Sequence, residues 1–291
     1  MAEGDRWDLP QAKSDVPLSE LQLVPPTDSV APSADSLPAP KRSFPAWTIW
    51  DVLLILAATV VAIFVCSLTA IAIAQAIPAY RGLSVTALAQ KPLLVVGSQM
   101  ASYPLVIVLM AVIVRRRSGE PFLAAIHWIW PGRSGPWFCA GGIVLAFTVE
   151  GLAHFLPIPK SLPMDKFFND AASAYLMAVF GIVVAPLLEE LFFRGMLYPI
   201  LRRAMGVVIA LVLTAAAFAA IHGAQLGYAW APILSIFIVG LALTLVRQVT
   251  DSVASCVLTH SGYNFTLFAL LWIGSDHFHH LEKLTALGVY R

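Results

Sequence analysis

Pro186-Leu187-Leu188-Glu189-Glu190-Leu191-Phe192-Phe193-Arg194 places two carboxylates and a guanidinium within nine residues of a long apolar segment. An ionisable group at the centre of a bilayer costs about 2.5–3.5 kcal/mol on insertion scales, so three together need both partners and a purpose. Glu190 and Arg194 are four apart with the acid first, the favourable order for a helical ion pair. Glu189 is rotated about 100° from Glu190 around the helix. One arginine cannot neutralise two carboxylates, so Glu189 is the one left over. Carboxylates without a cation in apolar surroundings hold protons more tightly, the property that general acid–base catalysis near neutral pH draws on. Spacing alone therefore divides the stretch into a bracing pair and a spare carboxylate.

The surrounding composition says what the segment is embedded in. Of 291 residues, 59% are hydrophobic and 12% are charged. Soluble domains carry about 25% charged residues, so the expected fold class is all-α, a polytopic transmembrane helix bundle of seven or eight spans with a polar intramembrane cavity. The short alternating segments of a transmembrane barrel are absent. A net charge of +1 offers no footprint for a nucleic-acid partner. Cys66, Cys139 and Cys256 all fall in apolar segments at spacings that fit neither a zinc knuckle nor a disulfide framework, and read as buried small hydrophobes.

Residues 1–45 are rich in Pro, Ser, Asp and Ala and form the expected disordered tail. N-terminal transmembrane spans are expected within 46–160, the catalytic core over 171–274, and a polar tail over 275–291. Expected spans run over 47–77, 93–114, 136–156, 171–203, 207–222, 231–246 and 252–274. Trp47 and Trp50 read as interface markers. Arg115, Arg116 and Arg117 give the strongest topological mark. With Lys41, Arg42, Arg133, Arg202, Arg203 and Arg247 on the same side, they place the N-terminus in the cytoplasm of a bacterial plasma-membrane protein. Glu150 and His154 share a helix face and read as a polar pair near a helix end.

Two further groups of polar residues interrupt the apolar spans. His222 ends the fifth segment after Phe218-Ala219-Ala220-Ile221. Glu189 precedes the turn between the fourth and fifth segments by about 16 residues and His222 follows it by about 17, so an antiparallel hairpin brings them to similar depth. His260 and Asn264 are four apart in the seventh segment and share a face, and Gly262 between them permits close approach of a neighbouring helix or substrate. One tension remains. His260 lies about 13 Å into its helix and Glu189 about 20 Å from Arg202, so the two meet only if the end of the fourth helix projects beyond the membrane.

Glu189-Glu190-x-x-x-Arg194, Phe218-x-x-x-His222 and His260-x-x-x-Asn264, in this order, resemble the three-motif signature of the CAAX-protease and bacteriocin-processing family of intramembrane endopeptidases. The resemblance covers about residues 171–274. It implies hydrolysis of a peptide bond in a membrane-anchored protein or peptide, possible substrates including prenylated CAAX-type proteins, with membrane lipids as the surroundings. Glu189 would activate water with His222 helping to hold it, His260 and Asn264 would stabilise the oxyanion, and Glu190 with Arg194 would brace the helix. A zinc-dependent reading would use Glu189, His222 and His260 as ligands, with His277, His279 and His280 as adventitious binders. No His-Glu-x-x-His helix is present and an Asn suits an oxyanion better than zinc, so the expected cofactor is none. Two other classes remain open: a proton-coupled transporter using Glu189, Glu150 and the histidines as a relay, and a non-catalytic membrane scaffold or immunity protein.

Overall fold

A computed structural model describes residues 44–159, 161–168 and 170–278. The tail before residue 44 (with Lys41 and Arg42), Lys160, and the terminal His279 and His280 lie outside the described residues. Those described form a helical bundle with seven principal helices: α1 (Ile49–Ala76), α2 (Pro92–Ser118), α3 (Gly135–Ala153), α4 (Ala171–Met205), α5 (Val207–Ile221), α6 (Trp230–Thr250) and α7 (Val253–Gly274). All but α5 are long and apolar enough to cross a membrane. The chain is an integral membrane protein. The segment expected as a fifth span is a helix of 15 residues, about 22 Å long against a hydrocarbon thickness of about 30 Å. At 35 residues, α4 is about 52 Å long and exceeds that thickness by far.

Local chemistry sets the boundaries. Asp51 returns to the backbone N–H of Thr48 at 2.8 Å to open α1, and Asp170 and Ser252 accept from the third residue of α4 and α7, satisfying donors that a helix start leaves over. Gly119 closes α2 at φ 81°, where a side chain would be strained. Asp51 then pairs with Arg117 at 2.8 Å, tying the start of α1 to the end of α2. Trp47 departs from its expected interfacial role. It is 1% exposed, and its indole N–H donates to the Met196 carbonyl at 3.0 Å. Trp50, 74% exposed, keeps the expected position at the surface.

The core forms where α1 and α2 pack on the second half of α4. Val52, Ile55, Val106, Met110 and Val114 meet Leu188, Leu191, Phe193 and Met196 there. On the other side, α3 and α7 touch backbone to backbone. A Cβ on Gly142 would stand 2.1 Å from the Thr259 carbonyl oxygen, and one on Gly262 would stand 2.4 Å from that of Cys139. Gly262 therefore serves a neighbouring helix, one of the two roles its sequence position allowed. This crossing fixes α7, and with it the face that carries His260 and Asn264.

Candidate active site

Helix α4 is not a uniform α-helix. Phe180–Val184 and Leu191–Leu197 are π-helical. Each π turn is followed by a proline, and in both places the same consequence follows. The Ala185 N–H reaches back to the Phe180 carbonyl. Next in line is Pro186, which has no N–H to give to Gly181. The orphaned Gly181 carbonyl accepts the side-chain amide of Asn264 at 2.6 Å. Thirteen residues on, the Tyr198 N–H reaches the Phe193 carbonyl, Pro199 has no N–H for Arg194, and the Arg194 carbonyl accepts from Arg247 Nε at 3.1 Å. A carbonyl released inside a membrane helix must find a donor, and each proline thus attaches α4 to another helix.

Between these points lies the charged stretch. Glu190 and Arg194 form the pair their spacing called for, Nη1 to Oε1 at 2.9 Å, with both side chains fully buried. The guanidinium also donates to the Gly240 carbonyl at 2.9 Å and to Thr244 Oγ1 at 3.3 Å, and lies over the Phe218 ring at 4.6 Å. Arg194 thus joins α4, α5 and α6. The same Glu190 oxygen stands 2.8 Å from His260 Nδ1 on α7.

Glu189 faces the other way, into a cavity. Its Oε1 is 3.9 Å from His222 Nε2 and its Oε2 is 3.9 Å from His260 Nε2. His222 Nδ1 lies 2.8 Å from the Phe218 carbonyl, which can only accept, so that nitrogen carries the hydrogen and Nε2 keeps its lone pair. The depth tension between Glu189 and His260 is absent from the folded chain, because α4 is long enough to run past the membrane core.

The cavity, about 230 Å³, is lined by Glu189, His222, His260 and Asn264 together with Gln225 and apolar side chains such as Met177, Phe180, Val239 and Leu267. It has room for several waters, each of which occupies about 30 Å³ in the liquid. Three polar lining residues escaped the sequence reading, Gln225 and, on α2, Gln99 and Tyr103. The last two are four apart in a largely apolar segment, and that spacing is the signal that could have found them. A further omission is the role of Arg247. It is buried and bonded to Asp251 as well as to the Arg194 carbonyl, whereas its position near a helix end suggested only a topological charge. Asp251 also takes His127 Nδ1 at 2.7 Å. Burial alone would raise the Asp251 carboxyl, but the hydrogen bonds from Arg247 and His127 outweigh it and hold it below the ordinary carboxylate range.

Glu150 and His154 stand apart from this cluster. Glu150 lines a separate apolar pocket with Phe168 and Leu271, and the His154 ring packs edge-on against Phe155. His277 packs on Trp272 at the far end of α7.

Glu189, His222 and His260 are suitable donor types for zinc. Around a tetrahedral zinc with bonds near 2.0–2.1 Å, ligand atoms stand roughly 3.3 Å apart. The two separations here are 3.9 Å, and no group of three or more His, Cys, Asp or Glu among the described residues is arranged to hold a metal ion. The spacing therefore does not fit the metal, although the residue types do.

Comparison with known proteins finds one family. Residues 171–266 match the family described as type II CAAX prenyl endopeptidase Rce1-like. No curated protein and no solved structure matches the chain. The matched segment runs from the start of α4 through most of α7 and contains Glu189, Glu190, Arg194, His222, His260 and Asn264.

Proposed function

We infer, from the similarity of residues 171–266 to Rce1-like CAAX prenyl endopeptidases, that this chain is an intramembrane endopeptidase that hydrolyses a peptide bond in a membrane-anchored, prenylated CAAX-type protein or peptide. The observation that carries the reading is the convergence of the Glu189 carboxylate with two imidazole Nε2 atoms, each at 3.9 Å, inside a cavity set among apolar helices. A water between these groups has acceptors on more than one side, and that arrangement draws a proton off it.

In the proposed reaction Glu189 takes a proton from water, while the lone pair on His222 Nε2 holds the same water in place. The oxygen attacks the scissile carbonyl carbon, and the carbonyl oxygen becomes an oxyanion. Glu189 then passes its proton to the amide nitrogen, the C–N bond breaks, and the new carboxyl group gives its proton to the departing amine, so that a carboxylate and an ammonium leave. In this scheme His260 is held at Nδ1 by Glu190 and turns its Nε2 edge, which faces the cavity, toward the oxyanion. The second amide hydrogen of Asn264, not used on Gly181, is a further donor. Glu190 and Arg194 hold His260 and do not touch substrate. No step passes through a metal. The largely apolar cavity wall suits a substrate that arrives attached to lipid.

Purified protein mixed with a peptide ending in a farnesylated cysteine and three further residues tests the reading. The expected result, followed by mass spectrometry, is release of the terminal tripeptide by the parent chain and none by Glu189→Gln. Release by Glu189→Gln at the parental rate would refute the assignment of the base.

A further inference from the structure

The motif-bearing helices α4, α5 and α7 do not close the cavity alone. Val95, Gln99 and Tyr103 of α2, spaced four apart on one helix face, form part of its wall. Helix α2 lies wholly outside the segment that matches the endopeptidase family. Further along it, Val106 and Met110 return to ordinary core packing.

Tyr103 is the notable member of that wall. Its ring rests against Phe180 with centroids 5.7 Å apart, which fixes its direction. Among the described residues its hydroxyl makes no hydrogen bond. The residue is half-buried and lines the cavity, so a group that enters there can accept from this hydroxyl. Tyr103 and Glu189 line the same cavity.

A shortage of donors points the same way. Preorganised donors stabilise an oxyanion best when two or three converge on it. Here the residues with that role are partly committed: His260 Nδ1 to Glu190, and one Asn264 hydrogen to Gly181. A phenolic O–H is free to rotate toward a new acceptor and carries no such commitment. We propose that Tyr103 is a catalytic residue whose hydroxyl donates a hydrogen bond to the oxyanion formed at the scissile carbonyl. The proposal rests on the peptidase reading and adds α2 to the catalytic machinery.

Tyr103→Phe removes the hydroxyl and keeps the ring on Phe180. Parent, Tyr103→Phe and Glu189→Gln are compared on the farnesylated peptide, and the melting temperature of each is measured without substrate. The expected result for Tyr103→Phe is a kcat lower by about 10²–10³-fold, a KM within about threefold of the parent, and an unchanged melting temperature. A parental kcat would overturn the role of Tyr103 while leaving the peptidase reading intact. A lowered melting temperature would overturn it too, since the hydroxyl would then have a partner within the fold. A parent chain that does not cleave the peptide would overturn the peptidase reading, and this inference with it.

Discussion

The side-chain amide of Asn264 donates to the backbone carbonyl of Gly181 at 2.6 Å, across 83 residues of sequence. The carbonyl is available because Pro186 cannot supply the N–H that a π turn would direct to it. One hydrogen of an amide presumed free for catalysis is thereby part of the fold, and the other is left for the cavity.

Asn264→Asp exchanges the donor for acceptors only and sets a carboxylate oxygen against the Gly181 carbonyl. A buried polar group left without its partner costs about 1–3 kcal/mol. The expected outcome is a lower melting temperature together with loss of peptide cleavage. Asn264→Gln, which keeps an amide but displaces it by a methylene, should recover part of the stability and little of the activity.

Glu190 and Arg194 should behave unlike Glu189. Removing one partner of a buried ion pair leaves the other uncompensated, at about 3–5 kcal/mol. Both side chains are fully buried, so Glu190→Ala and Arg194→Ala are each expected to unfold at lower temperature and to lose activity. Glu189→Gln should lose activity and melt with the parent. Thermal melts of the three variants in one detergent test this; equal losses of stability at all three would contradict the division of roles.

Asp251 gives the stability a pH dependence with a definite sign. Its carboxyl is held below the ordinary range in the folded chain, so the folded state favours the ionised form. The contribution is fully present above the unfolded value, near 3.9, and fades as pH falls through the lower folded value. The melting-temperature gap between the parent and Asp251→Asn should be constant from neutral pH down to about 4 and should narrow below it. A gap that widens on acidification would mean that the group titrates in the opposite sense.

Metal removal tests the reaction class. In a variant carrying His279→Ala and His280→Ala, exhaustive chelation is expected to leave cleavage of the farnesylated peptide unchanged. Loss on chelation, restored by zinc, would replace the glutamate mechanism by a metal-dependent one on the same three side chains.

The membrane fold was legible in the chain because its signal is local in sequence, and the members of the polar cluster stood out one motif at a time. A long apolar segment must be helical in lipid, since only internal hydrogen bonds satisfy its backbone. The ion pair from Glu190 to Arg194 follows from a spacing of four, and the shared depth of Glu189 and His222 follows from their distances to one turn. The second partner of Glu190, His260, could not be read this way, because the contact joins helices whose crossing is set by Gly142 and Gly262. Nor could the faces of α4 be assigned, for each π turn rotates all that follows by about 100° relative to an unbroken α-helix. Tyr103 and Gln99 looked like ordinary members of an apolar span until α2 was placed beside α4. Sequence by itself determined which groups had to be buried and which could pair along one helix. Tertiary structure decided which helix meets which carbonyl, because prolines release backbone acceptors whose new donors come from elsewhere in the chain.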